Sequence, residues 1–132
     1  MTSAPTHVLS ESQLEFVRDR HLATLTTLRP DGTPHVVPVA FTWDAERGIA
    51  RVTTLRGSVK ARNLAGGAGR AALCQVDGFR WLTLEGTARI SDDDGEITAA
   101  VDAYATRYRL LEPNPERVVL LLTVERAMGS VR

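Results

Sequence analysis

The sequence predicts a mainly β protein, a small antiparallel barrel of six strands with three helices packed outside. Three observations carry the prediction. Six runs are rich in Val, Thr, Leu and aromatic residues and are bounded by turn residues. Two long hairpins, with no alternation of strands and crossover helices, argue against a parallel sheet. Several of the runs are apolar on both faces, more than three short helices cover, so a partner subunit is expected.

Residues 1–8 are small and polar and read as a loose leader to a single domain spanning 1–132. Ser10 and Gln13 have capping-box spacing, with Leu9 and Leu14 placed as a hydrophobic staple, so a helix is expected over Glu11–Arg20 with Leu14 and Val17 inward. The first three strands are expected at His21–Arg29, His35–Trp43 and Ile49–Thr54, forming a meander. Arg29-Pro30-Asp31-Gly32-Thr33-Pro34 supplies the first turn, and Asp44-Ala45-Glu46-Arg47-Gly48 the second. Pro38 cannot donate a ladder hydrogen bond, so it marks an edge, a bulge or a place where the sheet opens.

A short helix is expected over Val59–Leu64, stopped by Gly66-Gly67-Ala68-Gly69. Strands at Arg70–Val76 and Arg80–Ser91 follow, joined by an Asp77-Gly78 hairpin signal. In the longer strand Leu82, Leu84, Gly86, Ala88 and Ile90 share one face. Asp92 is placed to cap a third helix, whose Ile97, Ala100, Val101, Tyr104, Ala105 and Tyr108 form an apolar stripe. Pro113 and Pro115 end that segment, and Arg117–Arg126 is the last strand, apolar on both faces.

Composition removes several functions. Sixteen Lys+Arg balance sixteen Asp+Glu, which argues against a nucleic-acid binder. The longest apolar run, Val118–Leu122, is far short of the roughly 20 residues of a membrane helix, and Met1–Glu15 shows no secretory signal, so a cytoplasmic protein is expected. Cys74 is the single cysteine, which leaves no disulfide or cysteine-based zinc site; it is expected to be a buried small hydrophobe. His7, His21 and His35 lack metal-ligand spacing, so no metal is expected.

One cluster carries chemistry. In Thr54-Leu55-Arg56-Gly57-Ser58-Val59-Lys60-Ala61-Arg62-Asn63 a strand ends, a glycine opens the backbone, and a helix starts at a hydroxyl flanked by Arg56 and Lys60. Free N–H groups, a hydroxyl donor and two cations make a phosphate site. The other use of the same residues is a solvated helix start capped by Ser58. A second element, the hairpin carrying Gln75, Phe79, Arg80 and Trp81, suits either a pocket for a flat ring or a subunit contact.

In this order these elements resemble a known family. The stretches His21-Leu22-Ala23-Thr24-Leu25, Asp31-Gly32-Thr33-Pro34-His35-Val36-Val37-Pro38-Val39 and Gly57-Ser58-x-Lys60-x-x-Asn63-Leu64 are similar to those of the split β-barrel flavin and deazaflavin enzymes related to pyridoxamine 5′-phosphate oxidase. The resemblance is nearest to the group that uses coenzyme F420 and covers about residues 9–130. It implies the FMN-binding split-barrel fold, a homodimer, and hydride transfer from reduced F420 to a conjugated acceptor such as the tetrapyrrole biliverdin. By the same resemblance Gly57, Ser58, Lys60 and Asn63, with Arg56 beside them, hold the cofactor's phosphate-bearing tail. The strand Val37-Pro38-Val39-Ala40 lies along the ring, and Gln75 and Trp81 close the pocket from the second subunit. Catalytic residues are not assigned, since no dedicated proton donor is evident; Arg51, Arg80 and Arg126 are candidates for an acceptor's carboxylates. FMN in place of F420, or binding of F420 or a tetrapyrrole without turnover, are the alternatives. The chain lacks the longer basic, aromatic C-terminus of the true pyridoxamine-phosphate oxidases, which argues against pyridoxal phosphate synthesis.

Overall fold

A computed structural model describes residues 9–19 and 21–131; the 1–8 leader and Arg20 lie outside the described residues. The elements are α1 (Glu11–Arg18), β1 (Ala23–Leu28), β2 (Pro34–Val39), β3 (Thr42–Asp44), β4 (Ile49–Leu55), α2 (Val59–Asn63), β5 (Gly69–Asp77), β6 (Arg80–Ser91), α3 (Asp94–Arg107) and β7 (Arg117–Ser130). They form one antiparallel sheet in the order β2-β1-β5-β6-β7-β4-β3. The sheet therefore has seven strands, not six.

The extra strand corrects the expected meander. The run His35–Trp43 is two strands: β2 pairs with β1, β3 pairs with β4, and the two stand at opposite edges of the sheet. A flat seven-stranded sheet would hold those edges about 29 Å apart. Ala40 and Phe41 alone join Val39 to Thr42, a span of at most about 11 Å. The sheet must therefore curl until its edges nearly meet, leaving a gap along β2. Pro38 sits on this edge strand, where a missing N–H costs no ladder bond.

Side chains follow the curl. Leu25, Leu73, Leu82, Leu84, Leu120 and Leu122 point inward and are fully buried. α3 covers the outer face of the other half, with Ala100 against Ile49, Val119 and Leu121, which explains why β7 is apolar on both sides. Of the stripe expected on α3 only Ala100 is fully buried; Tyr104 and Tyr108 are half-exposed. α1 carries the expected capping box, and Phe16 and Val17 anchor it to the core. α3 is capped by Asp93, one residue beyond Asp92. The hairpin loop is Gly78–Phe79, with Asp77 paired to Arg80 and Gly78 at a φ of 63°.

β7 runs four residues past its expected end. A bulge displaces Glu125 from the ladder with β6, so Glu85 faces Arg126 while Gly86 faces Val124. The extra residue inverts the alternation, and both Val124 and Ala127 reach the core. No described helix is long and apolar enough to cross a membrane.

Candidate functional site

β4 ends at Leu55, and a turn carries the chain into α2, a helix of five residues. Thr54 donates to the Ser58 hydroxyl oxygen at 2.8 Å, and the Ala61 N–H donates to the same oxygen at 3.3 Å. With Thr54 as the donor, both lone pairs of that oxygen are occupied and, among the described residues, its O–H proton has no acceptor. Asn63 Nδ2 donates to the buried Thr27 Oγ1 at 3.0 Å, tying α2 back to β1. Asn63 therefore faces the protein and positions its neighbours on the helix.

Beside Ser58 lies an open groove of about 650 Å³ lined by Thr54, Leu55, Gly57, Ser58, Lys60 and Glu116. Lys60 is half-buried and, among the described residues, has no acidic partner. Burial holds its amine below the ordinary lysine range. A cation desolvated without a counterion is relieved by an anionic ligand. Arg56 contributes differently: it contacts Asp92 at 3.7 Å and Glu116 at 3.5 Å, and so offsets the Glu116 carboxylate on the groove wall.

The remaining sequence candidates are dispersed. Val37 and Val39 point into the core, Pro38 is exposed on the outer face, and half-buried Ala40 lines a separate cavity. Gln75 is 1% exposed; its Nε2 donates to the Phe16 carbonyl at 2.7 Å, and its Oε1 accepts from Arg107 at 3.0 Å. Register explains this, since β5 places Gln75 on the inner face two residues from Leu73. Trp81 is exposed on the opposite face, across from Val76. Arg51 is buried against Asp44 at 2.8 Å and so is committed inside the fold. Arg80 contacts Asp77 and lies 4.8 Å over the Phe16 ring, while Arg126 has, among the described residues, only Glu85 at 3.9 Å.

One feature was hidden from sequence reasoning. Arg107 donates to the carbonyls of Phe41 and Asp19 as well as to Gln75, and Tyr108 also donates to Phe41 O, at 2.8 Å. Together they pin the crossover between the sheet edges. Burial lowers the Arg107 pKa, an effect opposed by Tyr108 and Asp19. The surplus of apolar strand surface expected from the sequence lies on a bare outer face over β2, β1, β5 and β6, which bears Val36, Leu28, Val76, Trp81 and the half-buried Cys74. Cys74 is less buried than expected because no described element covers this side.

At one strand–helix turn of this curled antiparallel sheet, an open groove brings a half-buried lysine and a capping hydroxyl together, a donor set with the chemistry to fit an anion. Residues 9–129 match the pyridoxamine 5′-phosphate oxidase family, and the chain belongs to that family. The F420H(2)-dependent biliverdin reductase of Mycobacterium tuberculosis is 52% identical over 122 residues, covering 92% of this chain and 88% of the relative. In fold, a conserved hypothetical protein of Mycobacterium tuberculosis, Rv2991, is similar with a TM-score of 0.78 and 22% identity, over 98% of this chain and 89% of that one. A solved F420 reductase gives a TM-score of 0.71 and 24% identity, over 92% and 98%.

Proposed function

We propose that this protein is an F420-dependent reductase that transfers a hydride to a conjugated acceptor, biliverdin being reduced to bilirubin. The observation that carries the reading is the groove in which Lys60, uncompensated, stands near a Ser58 hydroxyl with a proton to donate. That pair fits a phosphodiester, and the 52% identical relative narrows the phosphate carrier to F420. When bound, reduced F420 supplies a hydride from the C5 carbon of its deazaflavin ring. Lys60 and Ser58 would hold the phosphate, Gly57 would let the backbone approach it, and Arg56 restrains Glu116. Asn63 fixes α2 against β1. The Val37-Pro38-Val39-Ala40 segment, at the gap between the sheet edges, would line the ring. Gln75 supports that segment indirectly, through Arg107 and the crossover.

The reading includes a homodimer. The bare outer face supports it, and Trp81 from a second subunit would close the cofactor pocket. Light scattering is expected to return twice the 14.4 kDa chain mass; a monomer at micromolar concentration would remove Trp81 from the site.

Lys60→Ala is expected to weaken F420 binding by about 1–3 kcal/mol, the scale of a lost charge-assisted hydrogen bond. Fluorescence titration measures this directly. Because only the protonated amine attracts the phosphate, wild-type affinity falls as pH rises through the lowered Lys60 pKa, and the variant loses that dependence. An unchanged affinity in Lys60→Ala would reduce the groove to a capped helix start.

A further inference from the structure

His21, Leu22, Ala40, Tyr104, Tyr108 and Arg109 line a cavity of about 310 Å³. Ala40 ends the segment placed along the deazaflavin ring, so the cavity opens beside that segment. Its chemistry is distinctive. The Tyr104 and Tyr108 rings lie 4.9 Å apart at 46°, and the Tyr108 hydroxyl is anchored to the Phe41 carbonyl. Arg109 is exposed and has no acidic partner among the described residues; its guanidinium reaches only the Leu110 carbonyl, at 3.4 Å. His21 is already engaged, by Asp77 at 3.5 Å and by stacking on Phe16.

Aromatic faces beside an unpaired guanidinium suit a flat ring system that carries a carboxylate. We infer that this cavity is the acceptor subsite, that it takes one end of a flat conjugated acid, and that Arg109 selects the acid by binding its carboxylate. The inference rests on the proposed reductase reading and extends it to the acceptor. The volume is at the small end for a ligand site, so only part of a tetrapyrrole enters. Arg109 adds affinity for acids, whereas a neutral flat acceptor binds through the tyrosines alone.

The test compares biliverdin with its dimethyl ester, which has the same conjugated system and no carboxylate. Each is titrated into cofactor-free protein and followed by quenching of tryptophan fluorescence. The wild type is expected to bind the acid about tenfold more tightly than the ester. In Arg109→Gln the preference falls to within about twofold, with ester and F420 affinities unchanged. Tyr104→Ala weakens acid and ester alike, by about tenfold. A full acid preference retained in Arg109→Gln, or F420 binding with no effect of either substitution on biliverdin, overturns the subsite while leaving the reductase reading intact. Loss of acid preference in Arg109→Gln, in a protein that does not bind F420, supports the subsite and removes the cofactor reading instead.

Discussion

Gly86→Ala is expected to destabilise the fold by about 3 kcal/mol or more, at or beyond the usual upper range for overpacking. A Cβ built on Gly86 falls 1.8 Å from the Thr123 carbonyl oxygen and 2.9 Å from its carbon. Both are backbone atoms, so no rotamer change relieves the contact. Gly86 lies where the register of β6 and β7 shifts, and the close approach is how β7 passes its bulge. Accommodating the methyl requires separating the two central strands that bury Leu84, Leu122 and Val124. For a chain of this size the loss corresponds to a melting temperature lower by about 10 °C. Thermal unfolding checks it; a shift of less than about 2 °C would show that the bulge relaxes freely.

Arg107→Ala has a comparable expected cost, about 3–5 kcal/mol, by a different route. Three acceptors lose this donor: the Phe41 and Asp19 carbonyls and Gln75 Oε1, the last fully buried. An acceptor left unsatisfied in the interior costs about 1–3 kcal/mol, and Tyr108 still serves the Phe41 carbonyl. The substitution also removes a cation stacked on the Phe41 and Tyr108 rings, 4.9 Å from each centroid. Arg107→Lys keeps the charge but loses the planar fork that reaches several acceptors at once, so it recovers only part of the loss. Urea unfolding of both variants tests this. Equal stability of Arg107→Ala and wild type would mean that the crossover holds itself.

The local elements could be read from the sequence where their signals were chemical. Ser10 and Gln13 announced α1, Gly78 the central hairpin, and the alternation through Leu82 and Leu84 the whole of β6. The seventh strand could not be read, because Ala40-Phe41 carries no Gly, Asp or Asn to mark a break. There the chain changes sheet edge through tertiary curvature, which no local residue encodes. The end of β7 was hidden for a related reason: the bulge at Glu125 breaks the period-two pattern that defines a strand.

The site divides in the same way. Ser58 and Lys60 are neighbours in sequence and remain neighbours in space, so their grouping was visible. The family resemblance places Gln75 at a pocket closed by the second subunit; within one chain the register of β5 turns it inward, where it serves Phe16 and Arg107. Tyr104 and Tyr108 looked like a core stripe; only the fold shows that they stand half-exposed with Arg109 beside Ala40.

The proposed role of the Ser58–Lys60 groove is to hold F420. It is tested most directly by titrating the purified wild type with F420 and, separately, with FMN, then adding biliverdin to the reduced F420 complex. Tight F420 binding, weaker FMN binding, and loss of biliverdin absorbance with growth of a bilirubin band are expected. Preference for FMN, or tight F420 binding with no change in the biliverdin spectrum, would contradict it.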